Sequence, residues 1–199
     1  CYALLPLAGD SNRNRVVIAG QMLISGSPSG ANITIADLAS GRRESLLGGV
    51  NGRISALLPE DDGGILVAGL FTSAGGVAAS NIAKWNGSTW IPLGDGLNGD
   101  VYAMARLANG DLIVGGGFTS AGGVAASKIA RWNGHSWSAL NNVLNNDVTC
   151  IKALSDGSLV VGGAFFQVSG GSLLSRVARW DGSKWTALGA GFNDRVNAI

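Results

Sequence analysis

The chain has 199 residues, with 32 glycines, four prolines and 14% charged residues, against roughly 25% charged residues in an average soluble domain. Its 14 Lys and Arg balance 13 Asp and Glu, which argues against nucleic acid or an anionic membrane as the partner. Gly, Asn, Asp or Ser breaks each apolar run within about eight residues, whereas a membrane-spanning helix needs about 20. The sequence therefore excludes such a helix and favours packed β-structure.

The first predicted unit covers residues 1–50 and differs from the units that follow it. Its four strands are predicted within the segments CYALLPL, RVVIAG, NITIADL and ESLL.

The chain contains two cysteines, Cys1 and Cys150, which are too few for a disulfide framework. Neither a Cys-x-x-Cys pair nor a pair of histidines is present, so a zinc site is not expected.

A repeat of 47 to 48 residues organises the rest of the chain. The segment FTSAGGVAAS at Phe71–Ser80 recurs unchanged at Phe118–Ser127, and FFQVSGGSLLS at Phe165–Ser175 is a third copy with one inserted residue. All six tryptophans fall on this repeat as pairs five residues apart: Trp85 and Trp90, Trp132 and Trp137, Trp180 and Trp185. The period lies between the roughly 40–45 residues of WD40 blades and the about 50 of kelch blades.

Four strands are predicted in each unit. In the unit 98–144 they lie within VYAMARL, DLIVGGGF, SKIARW and SWSAL. The steps Asn86-Gly87, Asn133-Gly134 and Asp181-Gly182 predict type I′ hairpin turns, in which both central residues have positive φ. Short turns without helical spacers indicate antiparallel strands.

These patterns predict an all-β fold, a β-propeller of four-stranded antiparallel blades of about 47 residues. The predicted blades are residues 1–50, 51–97, 98–144 and 145–192, and residues 193–199 are predicted as the first strand of a further blade. Because an open arc of blades leaves unpaired faces and edges, we expect these four blades to belong to a ring of about six to eight. Closure with four blades is the alternative.

The unit GGxFTSAGG, followed by IARWNGxxWxxLGxGLNGxVYA, resembles kelch-like propeller repeats. Among these it is similar to the repeats of the fungal cortical polarity-marker family and of bacterial surface proteins, over residues 51–199. This resemblance implies a secreted or cell-surface propeller. Galactose-oxidase-like copper enzymes share the kelch-type fold, but their site needs two histidines and two tyrosines, one crosslinked to cysteine. The chain has one histidine, His135, and the tyrosines Tyr2 and Tyr102.

The turns between units place an asparagine at one repeated position. The turns read VNGR, LNGD, LNND and FNDR, and the asparagines are Asn51, Asn98, Asn145 and Asn193. Left-handed backbone or an Asx turn would explain them structurally. The functional alternative is a candidate interaction face formed by these asparagines and Asp100, at the end of the blades where the between-unit turns and the loops after the second strand emerge.

The paired tryptophans and paired glycines allow a structural and a functional interpretation. Tryptophan faces could stack on sugar rings, but repetition at fixed strand positions favours a structural core between blades. The glycine pairs at 75–76, 122–123 and 170–171 lack the Lys-Ser/Thr of a phosphate-binding loop, so positive φ and close packing explain them better.

The remaining candidate sites are weak. The acidic residues 60–62 and the segment 95–100 do not match the ligand spacing of a calcium loop. His135 stands alone at a predicted hairpin tip. We therefore expect no catalytic residues, no cofactor and no metal. Two glycosylation sequons occur, at Asn32 and Asn86, and the second lies in a predicted exposed hairpin.

Three functions follow from these observations. The first is a non-catalytic extracellular or cell-surface propeller that acts as a scaffold or protein-interaction module, with a protein partner or the neighbouring subunits of an assembly. The second is a carbohydrate-binding propeller with a glycan partner, which requires exposed aromatic side chains in equivalent pockets. The third is an extracellular enzyme whose active site lies outside these residues.

Overall fold

The computed structural model describes residues 3–6, 15–20, 32–140, 144–167 and 173–199. These residues form β-strands and turns, which confirms the predicted all-β fold. The chain divides into two compact units, Cys1–Gly96 and Leu97–Ile199, with two four-stranded sheets in each. Cys1, Tyr2 and the glycines at 170–171 lie outside the described residues.

The first unit contains two antiparallel sheets whose strands follow one another in chain order. The strands of its first sheet are β1 (Ala3–Pro6), β2 (Arg15–Ala19), β3 (Ile33–Asp37) and β4 (Arg43–Ser45). Those of its second sheet are β5 (Arg53–Pro59), β6 (Ile65–Leu70), β9 (Ile82–Trp85) and β10 (Trp90–Pro92). Between β6 and β9 lies a two-stranded hairpin of β7 (Ser73–Ala74) and β8 (Val77–Ala78).

The second unit repeats this arrangement. The strands of its first sheet are β11 (Val101–Arg106), β12 (Leu112–Gly116), β15 (Ile129–Trp132) and β16 (Trp137–Ala139). A hairpin of β13 (Ser120–Ala121) and β14 (Val124–Ala125) separates β12 from β15. The strands of its second sheet are β17 (Val148–Ala153), β18 (Leu159–Gly163), β19 (Val177–Trp180) and β20 (Trp185–Ala187).

The hairpins between the third and fourth strands differ from the type I′ turns predicted from the sequence. Each loop has four residues, and Gly87, Gly134 and Gly182 have positive φ whereas the preceding Asn or Asp does not. In the first of these loops, Asn86 Oδ1 instead accepts hydrogen bonds from the N–H groups of Ser88 and Thr89. This side-chain hydrogen bonding replaces the left-handed backbone that a type I′ turn needs at its first central residue.

Adjoining sheets pack closely where the second strand carries glycine. A Cβ added at Gly115 would lie 2.5 Å from Val148 Cγ1 and 2.8 Å from Ile151 Cδ1, so only glycine lets β17 approach β12. The side chains between the two sheets form an apolar cluster that includes Ile113 and Trp180. Burial of such side chains stabilises the fold by roughly 1.5–3 kcal/mol each.

Residues 193–199 form no strand, in contrast to the sequence prediction. A strand needs a neighbouring strand for its backbone hydrogen bonds, and Val196 N–H donates instead to the Gly163 carbonyl at 3.2 Å. The Val196 side chain nevertheless lies over Gly162, where an added Cβ would come within 2.7 Å of its Cγ1. Val196 therefore packs on the fourth sheet as Val148 packs on the third.

Candidate interaction surface

The repeated asparagines lie in the turns that lead into the first strand of a sheet. Each of Asn51, Asn98 and Asn145 bonds to the loop that follows the second strand of that sheet. Oδ1 of Asn51 accepts hydrogen bonds from the backbone N–H groups of Thr72 and Ser73, both at 2.9 Å. Its Nδ2 donates to the Thr72 hydroxyl at 2.8 Å. Both polar atoms of the Asn51 side chain are therefore engaged within the fold.

We call these side-chain hydrogen bonds from the turn to the loop the asparagine clamp. The clamp recurs in both sheets of the second unit. Oδ1 of Asn98 accepts from the Thr119 N–H at 2.8 Å and from the next N–H at 2.9 Å, and its Nδ2 donates to the Thr119 hydroxyl at 2.8 Å. Oδ1 of Asn145 accepts from the N–H groups of Phe166 and Gln167 at 3.0 and 3.2 Å. The fourth sheet thus keeps the hydrogen bonds to the backbone. Phe166 stands where the other two sheets have threonine, so the bond to a hydroxyl is lost.

This clamp corrects the structural explanation drawn from the sequence. None of the four asparagines has positive φ, and the partners of Asn51, Asn98 and Asn145 lie 21 or 22 residues further along the chain rather than in the same turn. The reason is topological, because the between-unit turn and the loop after the second strand leave the same end of a sheet. We call this end the loop end. All four asparagines, Asn193 included, are exposed.

The loop end of the fourth sheet carries two exposed apolar side chains. Phe166 is 48% exposed and Leu173 is 69% exposed. The second and third sheets have threonine (Thr72, Thr119) and alanine (Ala78, Ala125) at the equivalent positions, as the strand register shows. The second and third sheets each expose one valine in this hairpin, Val77 at 44% and Val124 at 45%, so the fourth sheet differs by exposing a phenylalanine and a leucine.

An arginine braces Phe166. The guanidinium carbon of Arg176 lies 5.8 Å from the centre of the Phe166 ring, and its Nη1 donates to the Ala164 carbonyl at 2.6 Å. A guanidinium over an aromatic face is attractive because the face carries negative charge density. Arg176 therefore covers part of one face of Phe166, and the side chain remains 48% exposed.

Asp100, the remaining residue of the predicted face, belongs to a polar cluster at the same end of the second unit. Oδ2 of Asp100 accepts a long hydrogen bond from the Tyr102 hydroxyl at 3.4 Å, and the Arg195 guanidinium lies 5.9 Å from the Tyr102 ring centre. Nearby, Lys128 Nζ lies 3.1 Å from an oxygen of Asp147 and 3.1 Å from the Gly117 carbonyl oxygen.

Sequence reasoning missed four members of this cluster, Tyr102, Lys128, Asp147 and Arg195. A signal was present, because the fourth residue of each of these turns varies among Arg53, Asp100, Asp147 and Arg195 within an otherwise regular repeat. Which of these charges meet depends on the contact between neighbouring sheets, as in the pairing of Lys128 with Asp147. That contact is a property of the tertiary structure.

The tryptophans contribute to the core rather than to a surface. Each pair packs ring against ring at 5.1–5.3 Å between centroids. Trp132 is half-buried and the other five are buried. Trp90 Nε1 also lies 3.2–3.3 Å from the Leu46 and Leu47 carbonyl oxygens of the preceding sheet. The exposed aromatic faces that a sugar-stacking site needs are therefore not supplied by these residues.

The two sequons lie in different environments. Asn86 is exposed in the hairpin between β9 and β10. Asn32 is half-buried, and its Nδ2, the atom that would carry a glycan, donates to the Val50 and Gly52 carbonyls at 3.2 and 2.7 Å. A glycan on Asn32 would replace one of the two Nδ2 hydrogens that make these bonds between the first and second sheets, whereas one on Asn86 would extend into solvent.

Groups with catalytic or metal-binding chemistry are scattered in the described ranges. These ranges contain no cluster of three or more His, Cys, Asp or Glu side chains that could hold a metal ion. His135 is exposed at a hairpin tip. The Cys150 thiol is buried, and burial raises its pKa, which disfavours the reactive thiolate. Within the described residues there is also no helix of the length and apolarity needed to cross a membrane.

Comparison with known proteins agrees with this architecture. The chain is similar in structure to the WD40 β-propeller domain of Doa1, with a TM-score of 0.53 and 16% identity over 81% of this chain and 47% of that one. It is also similar to the extracellular domain of the putative one-component system BT4673 from B. thetaiotaomicron, with a TM-score of 0.53 and 14% identity over 93% of this chain and 22% of that one.

The chain thus spans less than half the length of either structure, and at these identities the likeness shows the fold alone. No curated protein sequence matches the chain significantly. The family model of the Rax2 C-terminal β-propeller domain matches residues 29–198. That match covers most of the chain, including the second, third and fourth sheets. The chain therefore belongs to the Rax2 C-terminal β-propeller domain family.

Proposed function

We propose that this chain is a non-catalytic propeller module that acts at the cell surface as a scaffold or protein-interaction domain. Two observations support the location. The chain belongs to the Rax2 family, and its repeats resemble those of the fungal cortical polarity markers. One of the structures similar to it is an extracellular domain.

The loop end of the fourth sheet is the surface that supports an interaction role. Exposed apolar side chains that gather on an otherwise polar surface mark contact sites for other proteins. Phe166 and Leu173 are exposed where the repeat otherwise has threonine and alanine, so the fold does not need them. Asn145 accepts a hydrogen bond from the backbone N–H of Phe166 and Arg176 lies over its ring, and an aromatic side chain with few rotatable bonds loses little conformational entropy on binding.

The test restores the repeat residues at these two positions. The variant Phe166→Thr/Leu173→Ala has the side chains that the second and third sheets carry, and the threonine hydroxyl introduced at position 166 could again accept a hydrogen bond from Asn145. We expect the free energy of unfolding in urea to stay within about 0.5 kcal/mol of the parent chain. Binding to the surface partner should weaken about tenfold or more, as for loss of an aromatic anchor.

Partner contact is measured by photo-crosslinking on intact cells. A benzoylphenylalanine in place of Phe166 should give a discrete crosslinked product with a second protein, and Leu173→Ala should reduce it. The same residue in place of His135, which lies in the third sheet at the end opposite the loop end, serves as the control. Equal crosslinking at both positions, or a product insensitive to Leu173→Ala, would contradict the assignment of this surface. A membrane-impermeant amine label that fails to reach the protein on intact cells would contradict the location.

A further inference from the structure

A groove lies between the third and fourth sheets, which together form the second unit. It is at the end of these sheets opposite the loop end. Its volume is about 330 Å³, at the lower limit of the roughly 300–1,000 Å³ typical of ligand pockets. Its apolar wall includes Leu107, Ile113, Leu140 and Leu159. Its polar groups are Asn109, Asp111, Arg131 and Ser138.

Asp111 is a buried anchor within this groove. Its side chain is only 8% exposed. Asn109 Nδ2 donates to Asp111 Oδ2 at 2.6 Å, and the Asp111 N–H donates to Asn109 Oδ1 at 3.1 Å. Nη2 of Arg131 lies 2.7 Å from Asp111 Oδ2. A buried carboxylate held from several sides fixes the orientation of the guanidinium that pairs with it.

Arg131 presents the rest of its guanidinium to the groove and to solvent. Its side chain is 47% exposed, although one edge is held by Asp111. A second guanidinium, that of Arg106, donates from Nη1 to the Gly110 carbonyl at 2.7 Å in the same turn. These two guanidinium groups and the carboxylate of Asp111 together carry a charge of +1, and of the two arginines Arg131 lines the groove.

The pairing of a guanidinium with a buried acid distinguishes this groove from equivalent positions in the other sheets. Lys84 pairs with Asp62 and Glu60, whose side chains are 59% and 13% exposed, and Arg179 pairs with Asp156, whose side chain is 52% exposed. The residues equivalent to Asp111 are Arg15, Gly64 and Ser158. Among these sheets, only the third combines a half-exposed guanidinium with a buried carboxylate beside it.

We propose that this groove binds an acidic side chain of a partner protein together with a neighbouring aliphatic side chain. The carboxylate would accept two N–H groups of Arg131, whose planar fork matches a carboxylate. The aliphatic side chain would pack on the wall formed by Leu107 and Leu140. A protein ligand is favoured over an acidic sugar because the one aromatic side chain of the lining, Trp180, is buried. This inference rests on the proposed role as a protein-interaction module.

The first test uses the whole chain and a small probe. N-acetyl-Leu-Glu-amide is titrated to about 10 mM, which detects dissociation constants in the millimolar range, and binding is followed by NMR. We expect saturable shifts of the signals of Arg131 and its neighbours, and about tenfold weaker binding of the uncharged N-acetyl-Leu-Gln-amide. Equal binding of the two peptides, or no binding of the acidic one, would overturn the proposal.

Variants of Arg131 separate a specific site from general charge attraction. Arg131→Lys keeps the charge and a partner for Asp111 but removes the planar fork, and we expect binding to weaken severalfold. Arg131→Gln should abolish it. Arg179→Gln is the matched control, because Arg179 stands at the equivalent position of the fourth sheet and does not line the groove. Comparable loss of binding in Arg179→Gln, or unchanged binding in Arg131→Lys and Arg131→Gln, would show that the site is not this groove.

Glucuronate is the third probe. Tighter binding of glucuronate than of the acidic peptide would show that the ligand is an acidic sugar and would overturn the proposal.

The outcome of these binding experiments is independent of the crosslinking at Phe166, which lies at the opposite end of the sheets. Crosslinking at position 166 without peptide binding would contradict the groove as a binding site and leave the proposed function intact. Peptide binding without crosslinking at position 166 would contradict the loop end as the contact surface.

Discussion

At the scale of single residues, the repeated asparagines act as loop clamps. The exposed side chain of Asn51 makes three hydrogen bonds to Thr72 and Ser73, all at 2.8–2.9 Å. An intramolecular hydrogen bond contributes about 0.5–1.5 kcal/mol net. Conversely, the clamp leaves the amide little capacity to bind a partner directly. The asparagines therefore shape the loop end, and the side chains around them supply its contacts.

Removal of one clamp tests this role. We expect Asn51→Ala to lower the free energy of unfolding by about 1–2 kcal/mol, since the two N–H groups lose their acceptor within the protein. Asn51→Asp should recover most of the loss, because a carboxylate oxygen can accept from the same N–H groups. The measurement is the urea midpoint of each variant. If Asn51→Ala proves as stable as the parent, the clamp has no energetic role.

At the scale of elements, the small hairpins depend on their glycine pairs for two different reasons. Gly122 has φ +55°, and a Cβ added there would lie 2.6 Å from Trp137 Cδ1. Gly123 has φ +77°, and no atom lies within 4 Å of an added Cβ. The first glycine is therefore required by both backbone and packing, and the second by backbone alone.

Paired substitutions separate the two reasons. Gly123→Ala should cost about 1–2 kcal/mol, which is the cost of placing a side chain in the left-handed region. Gly122→Ala should cost about 1–3 kcal/mol more, because Trp137 must also move. Urea unfolding gives both values, and tryptophan fluorescence reports the displacement of Trp137. Equal costs for the two variants would show that the hairpin accommodates the methyl group without disturbing the tryptophan.

At the scale of the whole molecule, several turns rely on ionised carboxylates. The backbone N–H of Lys184, followed by the Ser183 hydroxyl, lowers the pKa of Asp181 from 3.8 to about 2. Hydrogen bonds and cationic partners likewise lower the pKa of three further acids: Asp37, Asp62 and Asp156. Asp62, Asp156 and Asp181 are exposed and Asp37 is half-buried, so each contributes modestly and salt weakens the ionic part.

The pH dependence of stability follows from these shifts. Because the folded pKa lies below the unfolded value, the stabilisation is present above pH about 4 and is lost as the pH falls toward 2. Asp181→Asn keeps the oxygen that accepts the Ser183 and Lys184 N–H groups, as Asn86 and Asn133 do in equivalent hairpins. We expect the fall in urea midpoint between pH 4 and pH 2 to be smaller in this variant. An identical fall in both proteins would show that Asp181 does not titrate with folding.

The sequence by itself determined the all-β repeat, the four strands of each unit and the core positions of five tryptophans, because strand alternation, glycine turns and a fixed period are local properties of the chain. The blade number of six to eight stays a prediction. Only the tertiary structure decided that Asn51 clamps a loop 21 residues away, and that Lys128 meets Asp147. It also decided that Asp111 is buried beside a half-exposed Arg131. Such contacts join residues from different loops, strands or sheets, so their partners depend on how the turns return, on strand register and on how neighbouring sheets pack.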